Sequence, residues 1–148
     1  ITMAVNSAYR DAQSTNDSKR SAKVYKDLNL NFTRHPVKGT LSALTDVAAV
    51  KRSVRNLVMY NHYEKPFHPE IGSGVRDLLF ENMSPFVSNT LRKMIEDTIV
   101  NFEPRVELAE VAVNPNFDNN VYEVTVEFYI VNSPSELVDM TFNLERIR

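Results

Sequence analysis

The sequence predicts an α+β fold, a small and mainly antiparallel sheet packed against two main helices. Three observations carry this. Tyr122, Val124, Val126, Phe128 and Ile130 alternate with Glu123, Thr125, Glu127 and Tyr129, the period of a half-buried strand. Val47, Val50, Val54, Leu57 and Val58 recur at helical spacing, and so do Val87, Leu91, Met94, Ile95, Thr98, Ile99 and Phe102. With 148 residues and 43% apolar side chains, the chain has the length and content to bury one core.

Residues 1–26 read as a flexible N-terminal arm, polar and rich in small residues, with Tyr9, Val24 and Tyr25 available to dock elsewhere. Residues 27–148 read as a single domain. Asp27 to Thr33 alternates, with Leu28, Leu30 and Phe32 on one face, and predicts a half-buried strand. The turn Arg34-His35-Pro36-Val37-Lys38-Gly39 leads to a short return strand over Thr40 to Leu44. Asp46 is placed to cap a helix that runs to about Tyr60, with Lys51, Arg52 and Arg55 on its solvated face.

Gly74 to Glu81 predicts a short helix that buries Val75, Leu78 and Leu79. Ser84-Pro85 then supplies a capping hydroxyl followed by proline at the first helical position, a strong start for a second long helix. Pro104 stops it, because the residue before a proline is pushed out of the helical region. Val106 to Val113 changes parity midway, which predicts a bulge or burial on both faces. A loop at Asn114–Asn120 precedes the clear strand at Tyr122–Ile130. A last strand points Val138, Met140, Phe142 and Leu144 inward.

Composition removes several kinds of chemistry. The absence of cysteine excludes disulfides, thiolate metal ligands and cysteine nucleophiles. A net charge of −2, without a basic aromatic sheet motif, gives no reason to expect nucleic acid. No apolar run is long enough to span a membrane and no signal-peptide core opens the chain, so it reads as a soluble protein of the cytosol or of something assembled there. His35, His62 and His68 are not at ligand spacing, and no metal or other cofactor is expected. Gly72-Ser73-Gly74 resembles a phosphate cradle only superficially, since it follows a turn and lacks the downstream lysine.

Glu64, Glu70, Asp77, Glu81 and Glu103 contain pairs that could serve glycoside hydrolysis, but that chemistry needs a carboxyl separation that sequence does not supply. Glu103-Pro104-Arg105 is more specific. Proline locks the backbone between opposite charges where a helix hands over to a strand. One reading is a helix stop with a local ion pair. The other is a rigid fork in which Arg105 bonds a partner's carboxylate or backbone carbonyls. Physical chemistry alone leaves the two even.

Three segments in succession then resemble one family. They are Lys65-Pro66-Phe67-His68-Pro69-Glu70-Ile71-Gly72-Ser73-Gly74, Leu78-Leu79-Phe80-Glu81-Asn82-Met83-Ser84-Pro85, and Asn101-Phe102-Glu103-Pro104-Arg105. Together they are similar to the baseplate wedge and sheath-initiator proteins of contractile phage tails, which have a relative in type VI secretion baseplates. The resemblance implies a sheet like the C-terminal domain of tail sheath proteins, and a structural role in the virion's tail baseplate, assembled in host cytoplasm. Implied partners are the helical core bundle of the other wedge subunits, the tail sheath subunits and the tail tube, with no nucleic acid and no membrane.

By the same resemblance, Glu103, Pro104 and Arg105 hold the core bundle. Strands exchanged between neighbours extend the sheet and start the sheath. Phe67, Pro69, Gly72, Gly74, Leu79 and Phe80 are expected to fix the fold, the glycines through tight turns and Phe67, Leu78, Leu79 and Phe80 as anchors. Some family members carry a lysozyme label, so a peptidoglycan-degrading glycosidase is the enzymatic alternative.

Overall fold

The computed structural model describes residues 25–131 and 133–147, so the predicted arm, Tyr25 and Lys26 excepted, lies outside the described residues. In order come β1 (Lys26–Leu28), β2 (Ala43–Thr45), α1 (Asp46–Met59), α2 (Val75–Leu78), α3 (Pro85–Phe102), β3 (Val106–Asn116), β4 (Val121–Ile130) and β5 (Ser133–Glu145). The last three form one antiparallel sheet in the order β3-β4-β5. The α+β class is thus observed.

Alternation along β4 turns Tyr122, Val124, Val126, Phe128 and Ile130 inward, all of them buried. On β5 the inward set is Val138, Met140, Phe142 and Leu144, as the sequence predicts. The parity change in β3 is a bulge, with the register shifting between Leu108 and Glu110. β3 continues through Pro115 to Asn116, so only the tip of the predicted loop is a turn. Proline is tolerated there because β3 is an edge strand with one side unpaired.

α3 lies on β3, and α1 packs on α3. Leu91, Ile95 and Ile99 of α3 and Val50 and Val54 of α1 are fully buried and join the inner sheet face in one core. Burial of each such side chain contributes about 1.5–3 kcal/mol. Ser84 caps α3 as predicted, its hydroxyl accepting from the Val87 amide at 3.3 Å with Pro85 at the first helical position. α1 begins differently. Its cap residue is Thr45, whose side chain makes no capping bond, and Asp46 is already helical in position, with φ +48°. The Asp46 amide instead donates to the Tyr25 carbonyl at 2.8 Å, so the approach of Tyr25 replaces a side-chain cap.

Two further expectations change. The predicted strand at Asp27–Thr33 is only three residues long, and it pairs with β2 in a separate two-stranded sheet. Leu28, Leu30 and Phe32 are 50%, 45% and 63% exposed, so this alternating face does not enter the core. The hairpin sits beside the first long helix, α1, and pairs with no strand of the main sheet among the described residues.

The turn-rich segment after α1 also folds on itself. Asn61 donates to Glu64 through both its backbone and its side chain, and the Tyr63 amide donates to the Pro69 carbonyl at 3.1 Å. Phe67 stands at φ +66° and is 98% exposed, and Phe80 is 57% exposed, so neither anchors the core. These local bonds shape the loop without an apolar floor. Pro69 is exposed too, whereas Leu79 is buried against the core as expected. Ser73 is buried, its hydroxyl donating to the Val58 carbonyl and its amide to the Tyr60 carbonyl, which satisfies the end of α1 and leaves no phosphate cradle.

The two glycines beside Ser73 differ in their constraint. Gly72 has φ +154°, and an added Cβ would lie 2.7 Å from the Asn61 carbonyl. At Gly74 the clash would be only with the terminal Cε of Met94, which can swing aside. Gly72→Ala should therefore cost about 2–4 kcal/mol in urea unfolding, and Gly74→Ala less than about 1 kcal/mol.

Candidate functional site at the junction of helix and sheet

α3 ends on Phe102 because Pro104 follows, and β3 starts at Val106. Glu103 and Arg105 flank the proline and turn toward each other. Arg105 Nε donates to Glu103 Oε1 at 2.7 Å and Nη2 to Oε2 at 2.9 Å, a two-pronged pair. Glu103 is 4% exposed and is the single buried carboxylate among the described residues. The hydroxyl of Ser53, on α1, donates to Glu103 Oε2 at 2.5 Å. Arg105 Nη1 reaches Asp27 of β1, at 3.1 and 3.3 Å from its two oxygens. The guanidinium also stands over the Tyr25 ring, 5.5 Å from its centre.

Each member comes from a different part of the chain. Asp27 is 78 residues from Arg105, and Ser53 is 50 from Glu103. No local pattern marks Ser53 or Asp27, so sequence reasoning missed them, and Tyr25 reads only as a group available to dock, without its place under Arg105. Their only signals are a hydroxyl beside the apolar stripe of α1 and a carboxylate at the start of an alternating run. Of the six residues expected to fix the fold, none belongs to this cluster. Pro104 itself is exposed.

Beside the cluster runs an open groove of about 380 Å³, lined among others by Asp27, Leu28, Leu30, Arg52, Lys65 and Glu103. Among the described residues, no group of three or more histidine and acidic side chains is placed to hold a metal ion. No helix there is long and apolar enough to cross a membrane.

Burial raises the cost of charge on Glu103, but hydrogen bonds from Arg105 and Ser53 more than offset it. Its carboxyl is held below the usual range. Arg105 is held above its own, chiefly by its bond to Glu103. The node thus keeps both charges.

A family model described as baseplate wedge protein gp25 matches residues 45–135, more than half of the chain. The chain belongs to the gp25 baseplate wedge family. That makes it a baseplate wedge component of a contractile tail system. It is 28% identical to the baseplate wedge protein gp25 of Enterobacteria phage T4 over 122 residues, 82% of this chain and 92% of that protein.

Solved structures agree on the fold. A putative tail lysozyme from Geobacter sulfurreducens is similar with a TM-score of 0.62, at 16% identity over 67% of this chain and 89% of that one. A chain of the anti-feeding prophage baseplate has a TM-score of 0.59, at 23% identity over 86% and 90%. A chain of the type VI secretion baseplate complex has a TM-score of 0.55, at 12% identity over 65% and 89%. The family match runs from the end of β2 into β5, so it takes in Ser53, Glu103 and Arg105 but not Asp27.

The pair's removal should be asymmetric. Arg105→Ala leaves a buried carboxylate without its counter-charge and should cost about 2–4 kcal/mol in urea unfolding. Glu103→Gln leaves Arg105 its bonds to Asp27 and should cost less. Because the folded Glu103 carboxyl is depressed, its contribution is complete above the unfolded value of about 4.3 and fades as pH falls through the lower folded value. Stability of Glu103→Gln should accordingly converge on that of the parent in acid, and a constant gap from neutral to acid pH would contradict this.

Proposed function

We propose that the chain docks on the helical core bundle of its wedge through the Glu103-Pro104-Arg105 turn and starts the sheath by exchanging strands. The observation that carries the docking part is the form of that turn. Its charges are fixed by bonds to α1 and β1, and its proline is presented at the surface. Preorganised in this way, the turn loses little freedom on binding.

Family membership supports the wedge as its setting. Strand exchange is supported by the sheet order, since β3 and β5 are its two outer strands and each has one side without a partner among the described residues. The sheath subunits and the tail tube are the further partners of this reading, and assembly in the cytoplasm of the host is its setting.

The same geometry weighs against glycosidase work. A general acid needs a carboxyl held protonated near neutral pH. Glu103, the buried acid, is pushed the other way by Arg105 and Ser53. We therefore read the protein as acting without catalysis.

The test is complementation of tails that lack this chain. Arg105→Ala, used below the melting temperature found by circular dichroism, should fail to co-purify with wedge subunits and should yield no sheath. Incorporation at the level of the parent would remove the docking role. Turnover of peptidoglycan by the purified parent, lost in a carboxylate variant, would restore the enzymatic reading.

A further inference from the structure

The two edges of the Arg105 guanidinium are held very differently. The inner edge gives two parallel bonds, from two nitrogens, to a carboxylate whose side chain is 5% exposed. The outer nitrogen, Nη1, alone serves both oxygens of Asp27, at 3.1 and 3.3 Å, and that side chain is 37% exposed. The inner bonds are short and shielded from water. The outer contact is longer, shared and open to exchange.

What carries Asp27 is also the lightest part of the fold. β1 has three residues and pairs only with β2. Next to Asp27, Leu28 and Leu30 remain about half exposed on the rim of the groove, which Asp27 itself lines with Arg52 and Lys65. The groove beside the outer nitrogen therefore combines apolar contact area with two basic side chains, Arg52 and Lys65, alongside the carboxylates of Asp27 and Glu103.

We propose that Asp27 is a built-in stand-in for a partner's carboxylate. In the free chain it occupies the outer position on Arg105. On docking, an acidic side chain on an apolar segment of the partner displaces it, enters the groove past Leu28 and Leu30, and takes over Nη1. The inner pair with Glu103 stays intact throughout and holds the guanidinium in place. This inference rests on the docking role proposed above for Arg105, and adds the chemistry of the partner group and a competitor within the chain.

Competition gives a direction that a purely structural contact does not. Removing a placeholder raises the fraction of chains ready to bind, and apparent affinity rises by the same factor. An exposed ion pair is worth no more than about 1 kcal/mol, which corresponds to roughly a fivefold change.

The experiment uses immobilised wedge complexes assembled without this subunit, titrated with the full chain and its variants. Asp27→Asn, similar in shape but uncharged, should bind about two- to fivefold more tightly. Asp27→Glu, which restores the carboxylate, should return toward the parent. Amide exchange over Lys26–Leu28 in the free chain should be several-fold faster in Asp27→Asn.

Equal or weaker binding by Asp27→Asn, with Arg105→Ala losing binding, overturns the placeholder and leaves the docking role standing. Unchanged exchange over β1 also overturns it. Parent-like binding by Arg105→Ala overturns the docking role, and this inference with it.

Discussion

The buried carboxylate of Glu103 is the constraint around which the rest of the molecule is arranged. A charge at that depth is tolerated only with a full set of donors, and the chain brings them from two places, Ser53 on α1 and Arg105 at the entry to β3. Ser53 fixes where α1 lies against the end of α3. Arg105 fixes the first turn of backbone into β3, and through Asp27 and Tyr25 it reaches the start of the described chain. Pro104 sets the short path between the two charges. The apolar seam of α3 against the sheet supplies most of the stabilising energy, while this polar node fixes how the pieces are oriented around it.

A node of this kind is suited to assembly and poorly suited to acid–base chemistry. Fully bonded charges resist protonation change and keep their positions, which is what a docking point needs. The remainder of the surface is consistent with a protein that works in company. Leu28, Leu30 and Phe32 on the hairpin, and Tyr63 and Phe67 on the loop after α1, are more exposed than the core demands. Tyr63 and Phe67 also stand at positive φ, so the loop's own hydrogen bonds hold them outward. The sheet between Val106 and Glu145 carries no lysine or arginine, and Glu110, Glu127 and Asp139 lie side by side on one rung.

Periodic signals were legible wherever burial alone decided the structure. The inward residues of β4 and β5 follow from spacing, because a repeating apolar face has one stable orientation. The start of α3 follows from the capping chemistry of Ser84-Pro85, whereas the parity change in β3 left a bulge and burial on both faces open. Leu28, Leu30 and Phe32 show where spacing stops being sufficient. Alternation says that these side chains share a face, but not that the chain contains a surface to cover them. Phe67 and Phe80 illustrate the same point for anchors, since an aromatic residue in a turn is buried only if an element arrives to receive it. Asp46 shows it for caps, because the acceptor that served α1 was the carbonyl of Tyr25, far back along the chain.

By itself, the sequence determined the class of fold, the order of its main elements and the identity of Glu103-Pro104-Arg105 as a rigid charged turn. These depend on local backbone preference and on period, which neighbouring residues specify. The tertiary structure alone decided that Glu103 is buried, that Ser53 bonds it while Asp27 bonds Arg105, and that Arg105 has one sheltered and one exposed edge. Hydrogen bonds between residues 50 and 78 positions apart leave no periodic trace. Only folding brings those groups within 3.3 Å of one another, and the electrostatics of the site follow from that approach.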